Sequence, residues 1–149
     1  MTYPIISADS HITEPANTYL DHIDPAFRDR APRLVRHEKA GDVFVIDGMS
    51  RPVPMGLVAA AGKPVEEIRI TGAHFEDLHR GGWDPSAREA EQDRDGVAAE
   101  ILYPSVGMVL CSHPDLDYKK ACFDAYNRWI AEYCAYRPAR LLGCGQTAM

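Results

Sequence analysis

The stretch that most constrains the fold runs from Asp84-Pro85 to Gly96, followed at once by Val97-Ala98-Ala99-Glu100-Ile101-Leu102-Tyr103 and Pro104-Ser105. Asp84 is an N-cap type, offering an acceptor to the free N–H groups of a first helical turn, and Pro85 fits the first helical position, where no N–H is needed. The charged segment to Asp95 reads as a surface helix stopped by Gly96, which tolerates the left-handed conformation of a C′ residue. The apolar seven residues after it, closed by proline, predict a strand over 97–103. A helix that runs straight into a strand is part of a βαβ unit. It commits the chain to the α/β class, with parallel strands joined by right-handed crossovers.

The remaining segments extend that pattern. Pro4-Ile5-Ile6-Ser7-Ala8 reads as a buried strand leading into Asp9-Ser10-His11, and Glu14-Pro15 marks a turn, since the residue before proline is pushed out of helical geometry. Residues 17–39 are mixed, with Asp24-Pro25 and Ala31-Pro32 allowing only short helix. Val43-Phe44-Val45-Ile46, Asp47-Gly48 and Arg51-Pro52-Val53 predict a hairpin with a type I′ turn, positive φ at both central residues, and a proline-bearing edge strand. Residues 55–82 are loop-like, a long irregular connection of the kind that covers a site or meets a partner subunit. After Ser105 a polar loop passes through Ser112-His113-Pro114. A helix then starts near Asp115–Asp117, carrying Tyr118, Cys122, Tyr126, Trp129, Ile130 and Tyr133 at helical spacing and ending before Pro138. Leu141-Leu142-Gly143-Cys144-Gly145 opens a third strand. The order is strand, hairpin insertion, helix, strand, helix, strand, in one domain spanning 1–149.

Composition narrows the function classes. Sixteen basic against 22 acidic residues give a net charge of -6, and no basic block exists to meet a nucleic acid or an anionic membrane surface. No charge-free stretch reaches the roughly 20 apolar residues of a bilayer span. The N-terminus lacks the basic start and long apolar stretch of a signal peptide, which leads us to expect a cytoplasmic protein. Cys111, Cys122, Cys134 and Cys144 match neither a zinc knuckle nor a disulfide framework and read as reduced core cysteines.

Asp9-Ser10-His11 carries the chemistry. Residues i and i+2 of a strand share a side, so the Asp9 carboxylate and the His11 imidazole project together at a strand's C-terminal end, where α/β proteins place their sites. An oxygen and a nitrogen donor converging there suit Zn²⁺, Mn²⁺ or Fe²⁺. An Asp–His hydrogen bond at a strand end is the competing explanation.

Four segments together, Asp9-Ser10-His11-Ile12-Thr13-Glu14-Pro15, Trp83-Asp84-Pro85 with Arg88, Gln92-Asp93-Arg94-Asp95-Gly96-Val97, and Arg137-Pro138-Ala139-Arg140-Leu141-Leu142-Gly143, resemble the amidohydrolase-related family. Within it they are similar to the branch containing aminocarboxymuconate semialdehyde decarboxylase and the aromatic-acid decarboxylases. The resemblance implies the N-terminal portion of a metal-dependent (β/α)8 TIM barrel, of which about three strands are present, because a complete barrel takes about 250 residues. It implies Asp9 and His11 as metal ligands in place of the family's His-x-His, and a divalent cofactor, Zn²⁺ or Mn²⁺. It also implies a small carboxylic-acid substrate undergoing decarboxylation or hydrolysis. The catalytic groups are expected downstream of residue 149, so that these residues alone are expected to be inactive. Trp83 is a candidate substrate contact or, equally, an anchor for the helix start. Ser105 and His113 are lesser candidates. A homo-oligomer of the full-length protein stays open, and the alternative to an enzyme is a binding or oligomerisation module that retains the first third of the barrel.

Overall fold

The computed structural model describes residues 3–58 and 60–149. In chain order its strands and α-helices are β1 (Ile5–His11), β2 (Arg33–His37), β3 (Gly41–Val45), β4 (Val53–Pro54), α1 (Met55–Val58), α2 (Pro85–Asp95), β5 (Val97–Tyr103), α3 (Val106–Leu110), α4 (Leu116–Ala135) and β6 (Leu141–Gly143). Short 3-10 turns at Pro25–Arg30, Val65–Glu67, Phe75–Asp77 and Arg80–Gly82 punctuate the connections. Two sheets result. One is parallel, in the order β1-β5-β6, and the other is antiparallel, in the order β2-β3-β4, lying in sequence between β1 and α2.

The local signals of α2 act as expected. Asp84 accepts from the N–H groups of Ser86 and Ala87, and Gly96 adopts φ 69° to end the helix. The interior is built on α4, whose Tyr118, Cys122, Tyr126, Trp129, Ile130 and Tyr133 are buried against Leu102, Leu110 and Leu141. Each large side chain so buried contributes about 1.5–3 kcal/mol. No described helix is long and apolar enough to cross a membrane.

Several elements differ from the sequence reading. β1 is not buried: Ile5 is 61% and Ile6 55% exposed, because β1 is an edge strand and no described element covers those side chains. β2 arises in a segment expected to be irregular. Its polar residues pair with β3, Arg33 opposite Val45 and His37 opposite Gly41. The Asp47-Gly48 turn forms, with the Met49 N–H donating to the Ile46 carbonyl, but it is not type I′, since only Gly48 of the pair has positive φ. The strands close further back, at Phe44 opposite Val53. The Asp47 carbonyl is engaged by His113 Nε2 at 2.8 Å and its carboxylate by Arg30 at 2.6 Å, which draws the turn toward the α4 end rather than into a tight hairpin. α3 stands where a loop was expected. Of the four cysteines, all free, Cys122 is buried, Cys134 and Cys144 are half-buried, and Cys111 is exposed, so the core assignment fails for Cys111.

Candidate functional site

β1 reaches its C-terminal end through a bulge. Ser7 pairs with Glu100 and Ser10 with Leu102, so β1 spends three steps where β5 spends two. The extra residue breaks the alternation: Ser7 and Ser10, three apart in sequence, meet through their hydroxyls at 2.8 Å, and Ser10 donates to Glu100 Oε1 at 2.9 Å. Bulges commonly re-aim side chains beside functional sites. Here Asp9 and His11 come together, with Asp9 Oδ1 3.5 Å from His11 Nε2, and the His11 ring lies 5.9 Å from that of Tyr103 on β5.

The His11 tautomer follows from its partner. Nδ1 lies 2.9 Å from the Pro104 carbonyl, which can only accept, so Nδ1 carries the proton and donates it there. Nε2, the other ring nitrogen, faces Asp9. A metal-ligating imidazole is usually held in this way, through its second nitrogen. With Asp9 85% exposed, the pair adds little to stability. Its donor atoms suit a cation: two donors each about 2.1 Å from a tetrahedral ion stand about 3.4 Å apart. The pair supplies part of a ligand set only, since among the described residues no group of three or more His, Cys, Asp or Glu is arranged to hold a metal.

The chain following β1 is pinned from below. Glu14 is fully buried, and its carboxylate accepts the N–H groups of Ser105 on both oxygens, of Val106 at 3.0 Å and of Gly107 at 2.9 Å. Burial raises its pKa, while these hydrogen bonds act against the rise. In the sequence Glu14-Pro15 reads as a turn and as the end of the first resemblance segment, with no local sign that Glu14 is buried. Thr13 N–H donates to the Gly82 carbonyl at 2.7 Å.

The other candidates are placed as follows. Ser105 is committed to structure, its hydroxyl donating to the Ile12 carbonyl at 2.7 Å. His113 is buried, with Nε2 donating to the Asp47 carbonyl and Nδ1 accepting from Asp115 N–H. Trp83 packs beside Phe75 at 5.7 Å and under the Arg80 guanidinium at 5.7 Å, and its indole N–H is buried without a partner. A cavity of about 370 Å³ opens beside β1, lined by Ser10, His11, His79, Arg88, Glu91 and Glu100 among others. His79–Glu91 at 3.0 Å, His74–Asp42 at 3.4 Å and His22–Glu132 at 3.7 Å are further histidine–carboxylate pairs. None of these three lies on a strand of the parallel sheet.

Among solved structures, an amidohydrolase from Mycobacterium avium subsp. paratuberculosis is similar to this chain, with a TM-score of 0.69 and 19% sequence identity over 97% of this chain and 43% of that one. The chain therefore spans less than half the length of that structure. No protein-family model matches the sequence, and no curated protein matches it. The likeness shows the fold, a mixed α/β arrangement found in part of an amidohydrolase.

Proposed function

We propose that this chain is the N-terminal part of a metal-dependent (β/α)8 barrel enzyme of the amidohydrolase-related family. It acts on a small carboxylic acid by decarboxylation or hydrolysis, with Asp9 and His11 as two of its metal ligands. The observation that carries the reading is the Asp9–His11 pair itself: 3.5 Å apart at the end of a parallel strand, with His11 Nδ1 tied to the Pro104 carbonyl so that Nε2 is free to ligate. The amidohydrolase fold supports it, and coverage of only 43% of that solved chain fits a ligand set completed by later segments of the whole protein. Catalytic metals usually take three protein ligands, one more than this pair provides.

A divalent ion held there, Zn²⁺ or Mn²⁺, supplies Lewis acidity toward a substrate oxygen or toward water. The chain's own residues set its surroundings. Asp9 would supply an anionic oxygen and His11 a ring nitrogen oriented by the hydrogen bond of Nδ1 to the Pro104 carbonyl, with the Tyr103 ring beside the imidazole. Trp83 belongs to the proposal as a substrate contact, supported by its place next to Gly82 in the cavity wall, directly before the start of α2. The proton donor or base for the chemical step is assigned to residues beyond these, so the 149-residue chain should turn over neither carboxylic acids nor esters and lactones.

Calorimetric titration with Zn²⁺ and Mn²⁺ tests the ligand assignment. One site should be seen in the wild type and lost in both Asp9→Ala and His11→Ala. Binding that survives both substitutions refutes it.

A further inference from the structure

Arg88 is a charged side chain that α2 turns inward, leaving 9% of it exposed. A buried guanidinium is costly unless its charge and N–H groups are matched, and here they are. Nε donates to Glu100 Oε2 at 2.7 Å, Nη1 and Nη2 each donate to the His11 carbonyl at 3.1 Å, and Nη1 also reaches the Gly81 carbonyl at 3.1 Å. Glu100 is shared, since its other oxygen takes the Ser10 hydroxyl at 2.9 Å. The Arg88–Glu100 pair therefore grips β1 at two consecutive residues, by the Ser10 side chain and the His11 backbone, directly after the register shift between Ser7 and Ser10.

The grip falls where the strand most needs one. His11 is the last residue of β1, where the strand passes into the loop that follows it. A donor pair must keep its geometry within about 0.5 Å to hold a ligand well. An ion pair with Glu100 alone would occupy only Nε. Both Nη groups converging on the carbonyl of residue 11 couple the pair to the site. Only a planar fork does this: lysine, with one ammonium centre, cannot meet the carboxylate and the carbonyl in the same arrangement.

We infer that Arg88 is a positioning residue, ion-paired with Glu100 and clamping the His11 carbonyl so as to fix the Asp9 carboxylate against His11 Nε2 for a divalent cation. This rests on the reading of Asp9 and His11 as ligands. Arg140 is the matched comparison. It also clamps carbonyls of the parallel sheet, those of Ala98 at 3.1 Å and Val97 at 2.9 Å, but at the opposite end of β5.

The test measures Zn²⁺ affinity of the full chain by competition with a chromophoric chelator, together with the ¹⁵N spectrum of the histidine rings. In the wild type Zn²⁺ should shift His11 Nε2; no shift there sinks the ligand reading and leaves nothing for Arg88 to position. Given that shift, Arg88→Lys should weaken Zn²⁺ binding on the order of 10- to 100-fold, the usual effect of losing a residue that orients a ligand, whereas Arg140→Lys should leave it unchanged. Equal losses in the two variants, or none in Arg88→Lys, overturn the inference. Should Arg88→Lys fail to fold, the wild type still decides. Coupling is reciprocal, so saturating Zn²⁺ should slow hydrogen exchange of the Arg88 Nη groups, and unaltered exchange with His11 Nε2 shifted overturns it equally.

Discussion

Glu14→Gln should destabilise the chain far more than an isosteric change on the surface would. The wild-type carboxylate offers two oxygens to three backbone donors, with Gly107 N–H on Oε1, Val106 N–H on Oε2, and Ser105 N–H shared between them. An amide keeps one acceptor. If that oxygen stays on Gly107, the new NH₂ meets the Val106 N–H donor to donor, and Ser105 loses half its share. A buried donor without an acceptor costs about 1–3 kcal/mol, and two are created, so the expected loss is about 3 kcal/mol. At this chain length that lowers Tm by roughly 6–12 °C, readable by circular dichroism melting or urea unfolding. Equal melting temperatures at neutral pH would refute the reasoning.

Further expectations concern the caps, the turns and the thiols. Asp84→Ala removes the acceptor for Ser86 and Ala87 N–H and should cost about 1–2 kcal/mol in urea unfolding. The hydrogen bond from Ser86, with help from Arg80, holds the Asp84 pKa down to about 2. Its contribution is therefore present above pH 3.8, and the gap between variant and wild type should close as pH falls through about 2. Gly96→Ala should cost about 1–2 kcal/mol from backbone conformation alone, since Gly96 has φ 69° and a Cβ there would meet nothing within 4 Å. In brief alkylation followed by mass spectrometry, exposed Cys111 should react first. Cys122, buried and with its pKa pushed up to about 12, should stay unmodified until the chain unfolds.

What the sequence disclosed and what it withheld divide along the distance over which each feature is determined. The ends of α2 were readable because Asp84, Pro85 and Gly96 act on their immediate neighbours, and β5 and α4 because their apolar spacing is local. β2 was not readable: Arg33, Arg36 and His37 put polar residues on both of its faces, and it is a strand because β3 lies beside it and Asp42 meets Arg36 at 3.0 Å. The site divides in the same way. The spacing of Asp9 and His11 announced a shared side, but the bulge beneath them is a matter of register with β5, some 90 residues on. The partners of Glu14 lie 91 to 93 residues away, and those of Arg88 include a carbonyl 77 residues back. A carboxylate before a proline and an arginine on a charged helix carry no local sign of burial.

The most direct measurement of the central claim is a crystal structure of the chain grown with Zn²⁺, with the metal located by anomalous scattering. The ion should lie about 2.0–2.2 Å from both the Asp9 carboxylate and His11 Nε2, with His11 Nδ1 still donating to the Pro104 carbonyl. Zinc bound instead at His79–Glu91, His74–Asp42 or His22–Glu132, with Asp9 and His11 left bare, would contradict it.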